Sequence, residues 1–592
     1  MELGVWLKLG TWGLELSAFL GTLRQLKNLW ASPLLRSRYP LAILAGLTLA
    51  ASFPKIGIAG FAWIAPALML VAAWGKTGWE RFRIGYVAGL THYLASLYWL
   101  LLIPYRWHGI PLGPAAGWLA LSAFIALYPA AWVFLLSNVR YSKFDVRSSM
   151  FPPASSDVQG SKFKVQGSRF GSSTWPQRTL WAISGAVLWV ALEMIVARLF
   201  TGFPWNLFGA SQWQLVPLIQ ISSITGVYGV AFIVVWTSMS LLSAALMIIR
   251  RPTMRSAWVG EIILPMAVLV IVFSFGFHQL SQNPIPTRTI KVTLVQPNIP
   301  QTVIWDDTKD EERFRELIHL SEQALTNQTD LLIWPEAAVP KLPRWNQETF
   351  HALTNLAGSH HVWLIAGADD MEFRPTPDNP NAREFYNSSF LISPDGRLMN
   401  HYRKRALVIF GEYIPLIRWM PFFKWFTPIE GGFTSGDRAI PFLLPDLKVK
   451  TSVLICFEDI FPHLAREYAE DDTDFLVNIT NNGWFGEGAA QWQHGTSALF
   501  RAVENGLPLV RCSNNGLTCW VDAHGRLRQL FKDAHASVYR AGIMTAQIPL
   551  LDAGQRRPPT FYNQHGDWFG WGCVGLAGVM VVRRIVRRGK VE

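Results

Sequence analysis

The sequence predicts two architectures in one chain: a polytopic α-helical membrane domain of about eight spans, and a layered α/β sandwich held outside the membrane. Three observations carry this. Half of the 592 residues are hydrophobic and only 16% are charged, with 28 Trp and 36 Phe, a profile suited to a bilayer and its aromatic interfaces. The basic residues fall in short loops between apolar runs, so membrane topology accounts for the net charge of +12 and no nucleic-acid partner is expected. From about residue 285 to 560 the long apolar runs stop, and short strand-like and helix-like segments alternate instead. The length also exceeds what one ordinary core accommodates.

In chain order, residues 1–39 form an amphipathic, cytoplasmic segment interrupted by Glu15, Arg24 and Lys27. It lacks a clean apolar core and a small-residue cleavage site, so it does not read as a removed signal peptide. Residues 40–284 read as a transmembrane bundle of seven spans. The first two lie in 40–74, broken at Pro54-Lys-Ile-Gly57. Arg24, Lys27, Arg36 and Arg38 precede this pair and Lys76, Arg81 and Arg83 follow it. If both flanks are cytoplasmic, the crossings between them must be even in number. Further spans are expected at about 84–104, 114–137, 180–200, 221–249 and 258–277, each near the roughly 20 residues a bilayer requires. Glu193 is expected to pair inside the bundle, while Arg198 and Glu261 lie close to span ends, where a charge can reach water. In the loop at about 141–178, Val158-Gln-Gly-Ser-Lys-Phe returns as Val165-Gln-Gly-Ser-Arg-Phe, a short repeat in a core-poor stretch expected to be a disordered insertion.

Seven spans deliver residue 280 to the outer face. Residues 561–592 supply a last helix, about 568–582, and a basic cytoplasmic tail with Arg583, Arg584, Arg587 and Arg588. The segment 285–560 between them must then lie outside. It reads as strands at 290–296, 331–334, 362–368, 388–393, 398–402, 451–455, 474–479, 509–513 and 517–522. Helices are expected at 309–326, 347–356, 461–469 and 497–505, and Pro394-Asp-Gly396 signals a hairpin. Four cysteines are too few for a disulfide scaffold, although Cys512 and Cys519 flank the turn-like Asn514-Asn-Gly516 and could meet across a hairpin. His360 and His361 are adjacent and lack partners at zinc-site spacing, and no nucleotide loop is present, so neither metal nor cofactor is expected.

Three strand ends carry candidate chemistry. Leu331-Leu-Ile-Trp-Pro-Glu336 puts a carboxylate straight after a buried strand. Tyr402-Arg-Lys404 leads through Gly411 to a second carboxylate, Glu412. Val453-Leu-Ile-Cys456 ends a third strand on a thiol, followed by Phe457 and Glu458. A lone buried cysteine is usually a small hydrophobe, and a lone Glu or Lys usually a solvated charge. Together, Glu, Lys and Cys make an acyl-transfer set. The thiolate attacks an ester or amide carbonyl, the carboxylate shuttles the proton, and the ammonium stabilises the oxyanion and depresses the thiol pKa.

The stretches Val295-Gln-Pro-Asn-Ile-Pro-Gln, Trp334-Pro-Glu336, Lys404 to Glu412 and Cys456-Phe-Glu458 resemble the nitrilase (carbon–nitrogen hydrolase) superfamily. So do Asn481-Asn-Gly-Trp-Phe-Gly486, Gln493-His494 and Arg501-Ala-Val-Glu504-Asn505. With the upstream helices and the signatures Gly202-Phe-Pro-Trp-Asn206 and Gly226-Val-Tyr-Gly229, the chain from about 40 to 585 resembles the apolipoprotein N-acyltransferase family. Ile409 stands where that family usually has proline and Asn482 where it usually has aspartate, departures that bear on loop shape.

The resemblance implies a nitrilase-like αββα sandwich on the periplasmic face of a bacterial inner membrane, in a protein acting as a monomer. It implies a phospholipid acyl donor and a diacylglyceryl-apolipoprotein acceptor. Cys456 would carry the acyl chain as a thioester, with Glu336 as general base and Lys404 as oxyanion partner. Glu412 would position the lysine or the proton path, and Trp305, Phe457 and Glu458 would line or brace the pocket. The apolar stretch 419–433, with Gly431-Gly432 as a hinge, reads as an arm dipping into the interface or as core. Two rivals remain: a membrane-anchored nitrilase-type amidohydrolase, for which one helix would suffice, and a non-enzymatic transporter or scaffold, for which few ionisable residues interrupt the spans.

Overall fold

Alternation of side chains builds the C-terminal half. The computed structural model describes residues 38–104, 112–136, 173–282, 287–304, 306–377, 379–415, 432–552 and 554–588. Its strands are β1 (Arg288–Gln296), β2 (Leu331–Ile333), β3 (Trp363–Phe373), β4 (Arg383–Ile392), β5 (Leu398–Arg403) and β6 (Pro441–Leu444). They continue with β7 (Val449–Ile455), β8 (Phe475–Thr480), β9 (Leu509–Ser513), β10 (Cys519–Val521), β11 (Leu527–Leu530) and β12 (Gly542–Leu550). One six-stranded sheet runs β12-β1-β2-β3-β4-β5, the other β11-β10-β9-β8-β7-β6. Leu331 and Ile333 face the second sheet while Leu332 faces away, as a period of two requires. The inner faces share one apolar cluster containing Val292, Ile333, Val453, Val477 and Val510. Leu317 and Leu353 of the Asp310–Leu325 and Gln347–His360 helices cover the first sheet's outer face, and the Ala489–Asn505 helix packs on the second. Helix, sheet, sheet and helix thus lie in four layers.

β1, β2 and β3 are parallel, as are β7, β8 and β9, and every other pairing is antiparallel. The C-terminal ends of parallel strands are where α/β folds gather functional groups. β6, β11 and β12 are strands the sequence reading lacks, and each is a sheet edge. The hairpin between β9 and β10 pairs Cys519 with Arg511, not with Cys512. A one-residue offset sends neighbouring side chains to opposite faces. Both thiols are therefore free, and the suggested disulfide does not form.

Among the described residues, four helices are long and apolar enough to cross a bilayer: Gly113–Leu136, Trp175–Val196, Val227–Arg250 and Val259–Ser281. Tyr39–Ala51, Val216–Thr225 and Trp568–Arg583 are apolar but shorter. Region 40–74 forms helices of 13 and 8 residues around a short 3-10 turn, each below the roughly 20 residues of a straight crossing. The sequence reading is corrected at Glu261, which does not reach water. It is fully buried and clasped by Arg178, whose Nε and Nη2 donate at 3.0 and 3.1 Å, and by the Ser243 hydroxyl at 2.6 Å. Two charges brought together inside a bundle cost less than one alone. Arg198 pairs with Asp567, and Glu193 accepts from Phe208 N at 2.6 Å. Most of the 1–39 segment, most of the 141–178 insertion, most of the 419–433 arm and Trp305 lie outside the described residues.

Gln493 of the Ala489–Asn505 helix ties the two halves together. Its Oε1 accepts from Trp99 Nε1 at 3.1 Å and Trp205 Nε1 at 2.8 Å. Its Nε2 donates to Pro54 O and Ser96 O at 2.8 and 3.0 Å, so every hydrogen-bonding position of this buried amide is filled from the helical half.

Candidate active site

Three strand ends meet beneath this junction. Glu336 leaves β2 through Trp334, whose N–H donates to Ile365 O at 2.8 Å. The exit is tight against β3: a Cβ on Gly367 would lie 2.2 Å from Pro335 O, so only glycine fits. Lys404 follows β5, its N–H donating to Asn387 O of β4 at 2.8 Å. Cys456 follows β7 in the left-handed region at φ +51°, a conformation that costs a non-glycine residue energy and needs support from its surroundings. That support is extensive. Asn478 Nδ2 donates to Cys456 O at 3.1 Å, and His494 Nε2 lies 3.1 Å from the same oxygen.

The side chains converge on one carboxylate. Glu336 Oε1 accepts from Lys404 Nζ at 3.0 Å and Asn387 Nδ2 at 2.8 Å, and Oε2 accepts from Asn481 N at 2.8 Å. Glu412 Oε1 shares the same two donors, Lys404 Nζ at 2.8 Å and Asn387 Nδ2 at 3.0 Å, while its Oε2 takes Val408 N at 2.8 Å. Lys404 is 1% exposed, so this one ammonium sits between two carboxylates and out of reach of bulk solvent. The Cys456 thiol lies against Glu336 and Thr480.

Burial alone would push the Lys404 ammonium down, but Glu336 and Glu412 raise it well above its ordinary value. Burial pushes the Glu336 carboxyl up, yet Lys404, the thiol and Asn387 outweigh it and leave the group below its usual range. Glu336 is therefore ionised at rest and Lys404 charged. The thiol goes the other way: burial, reinforced by Glu336 and opposed by Lys404, pushes it up to about 12. The sequence expectation that the lysine leaves the thiol depressed is thus corrected. Lys404 does lower it, but desolvation is larger. Proton removal at neutral pH must come from an adjacent base, and Glu336 is beside it.

Of the supporting residues, Glu458 is fully buried and clamps two segments. Its Oε1 accepts from Tyr402 OH and Arg405 N, both at 2.7 Å, and its Oε2 from Ile455 N at 2.7 Å. It thus holds the turn after Lys404 against the end of β7. Phe457 points to the helical half, its ring 6.3 Å from Phe203 and 6.4 Å from Trp205. Below the thiol, Asp459 pairs with Arg511 and lies 2.6 Å from His494 Nε2, while His494 Nδ1 is 3.0 Å from Asn482 Oδ1. Asn482 therefore faces the histidine that supports the nucleophile's carbonyl. Around Ile409, Phe410 N donates to Tyr413 O at 2.9 Å and closes the loop that carries Glu412.

Sequence reasoning passed over Asn387, Asp459, Asn478, Arg511 and Asp369. Asn387 had a signal: it is a polar residue inside β4, in the run Tyr386–Ile392 that is buried throughout. Asp369 lies directly opposite it on β3.

Comparison with known proteins adds two family-model matches: carbon–nitrogen hydrolase over residues 291–558, and the apolipoprotein N-acyltransferase N-terminal domain over residues 45–240. The apolipoprotein N-acyltransferase of Geobacter metallireducens is 33% identical over 560 residues, covering 94% of this chain and 96% of that one. That of Rickettsia prowazekii is 29% identical, covering 89% and 94%. Among solved structures, an amidase of the nitrilase superfamily from Nesterenkonia is 18% identical with a TM-score of 0.34, covering 48% of this chain and 96% of its own. Saccharomyces cerevisiae Nit3 is 20% identical with a TM-score of 0.33, covering 45% and 92%.

Proposed function

This chain belongs to the apolipoprotein N-acyltransferase family and N-acylates lipoproteins, and from that premise we propose that Glu336, Lys404 and Cys456 carry the transfer. In the first half-reaction Glu336 takes the thiol proton and the sulfur attacks the ester carbonyl of a phospholipid. Lys404 Nζ stabilises the oxyanion. As the carbon–oxygen bond breaks, Glu336 returns the proton to the departing alkoxide, leaving a lysophospholipid and an acyl thioester on Cys456. In the second, the α-amine of a diacylglyceryl-cysteine attacks the thioester. The carbon–sulfur bond breaks, the amide forms, and the thiol is restored.

The observation that carries this reading is the Glu336 carboxylate, hydrogen-bonded to Lys404 and lying against a thiol too poorly acidic to ionise unaided. Glu412 holds the lysine, Glu458 braces the turn after Lys404 against the end of β7, and Phe457 lines the lipid side. A second observation favours a lipid substrate over the anchored amidohydrolase. Phe203 and Trp205 of the helical half come against Phe457, next to the nucleophile, which an anchor alone would not need to do.

The chain crosses the inner membrane eight times, with the sandwich on the periplasmic face. It works as a monomer. The positive loops and the apolar segments support that topology. Incubation of the purified protein with acyl-labelled phospholipid tests the chemistry: an alkali-labile adduct is expected, absent in Cys456→Ala. Hydrolysis of small amides, with no adduct from phospholipid, would favour the amidohydrolase. A topology reporter fused near residue 450 is expected to read out on the non-cytosolic side.

A further inference from the structure

The acyl-transfer reading leaves one proton without a carrier. An α-amine has a pKa of about 8, so near neutral pH the acceptor arrives mostly as an ammonium. Charging Cys456 from an ester releases no net proton, because Glu336 takes one from sulfur and gives it to the alkoxide. Discharge is different. An ammonium and a thioester become an amide, a thiol and a free proton. Glu336 can pass one proton from nitrogen to sulfur, and the other needs a second base.

The structure holds a carboxylate that the chemistry above does not use. Asp369 lies directly opposite Asn387 across the β3–β4 pair, so the two side chains rise on the same face of the sheet, about 5 Å apart at Cβ. Asn387 is 4% exposed, and its Nδ2 is already committed to Glu336 and Glu412. Asn387 Oδ1 and Asp369 Oδ1 are both buried and have no hydrogen-bond donor among the described residues. Two neighbouring oxygens lacking donors beside a catalytic carboxylate call for a ligand rich in N–H groups.

We propose that Asp369 and Asn387 receive the acceptor's ammonium group, and that Asp369 takes the proton it must lose before attacking the thioester. This rests on the acyl-transfer reading. The groups facing Asp369 suit the role. Burial, with Glu336 and Glu412, pushes its carboxyl up to about 7, against the opposing pull of Arg313 from the Asp310–Leu325 helix and of Lys404. A base near 7 matches an ammonium near 8, whereas Glu336, held down by Lys404, does not. The balance closes: nitrogen gives one proton to Asp369 and one by way of Glu336 to sulfur, and Asp369 releases its proton to solvent after product leaves.

The test separates the half-reactions in Asp369→Asn, using labelled phospholipid and a synthetic diacylglyceryl-cysteine peptide. Thioester formation is expected to change far less than discharge, and its persistence also reports correct folding. Discharge to the peptide at pH 7 is expected to fall by about 10²-fold or more. The deficit should shrink at pH 9, where the amine is already neutral, and discharge by hydroxylamine, neutral at pH 7, should be unaffected. Normal discharge with an unchanged pH profile, or equal loss of charging and discharge, would overturn the proposal while leaving the thioester chemistry standing. Absence of a thioester in the unsubstituted protein would bring down both.

Discussion

Each half of the molecule buries an ion pair, and the two pairs are built differently. In the helical half one guanidinium meets one carboxylate in a two-pronged clasp, Arg178 on Glu261, with Ser243 filling the remaining position. Charge balances. In the sandwich a single ammonium, Lys404, serves Glu336 and Glu412, with Asp369 close enough to feel both. Negative charge is in excess there, and a thiol lies against it. A balanced buried pair holds helices together. An unbalanced one displaces the proton affinities of its neighbours, which is what acid–base chemistry requires.

The largest expected consequence of that contrast is for Lys404→Met. It strips two carboxylates of the ammonium they share and the oxyanion of its partner, so phospholipid-dependent transfer should fall by at least about 10²–10³-fold. Arg178→Met, by contrast, should leave the rate per folded molecule unchanged but lower the unfolding free energy by about 3–5 kcal/mol, since Glu261 is stranded in the bundle. Thermal unfolding in detergent checks this, and Arg178→Met with Glu261→Met together should recover most of the loss. If the single variant instead lost transfer without losing stability, the contrast between the two pairs would be wrong.

The smallest effect is on Cys456 alkylation against pH. The thiol lies at about 12, so the rate in the unsubstituted protein should still be climbing at pH 10. A nearby anion disfavours the thiolate and a nearby cation favours it. Glu336→Gln should therefore move the alkylation midpoint to lower pH while abolishing acyl transfer, and Lys404→Met should move it higher. Shifts in the same direction for both would refute the assignment of charges.

Much of this was legible in the chain. Glu336 and Cys456 each follow a short apolar run, and a strand whose faces are both buried announces itself by composition. The central strands β1, β2, β7, β8 and β9 were found for that reason. The strands missed were β6, β11 and β12, each an edge with a single partner. β11 is largely solvent-exposed and shows no apolar period, and β12 carries Pro549, tolerated because an edge strand has N–H groups that no neighbour needs.

Residue types and their order thus determined that a thiol, a lysine and two glutamates end up at the mouths of strands beside a membrane part, because burial and periodicity are local properties. Only the tertiary structure decided how their charges add. Register set Asp369 opposite Asn387 and turned Cys512 away from Cys519, and packing joined Arg178 to Glu261. Proton affinity depends on distance and desolvation, and neither is written in any one stretch of chain.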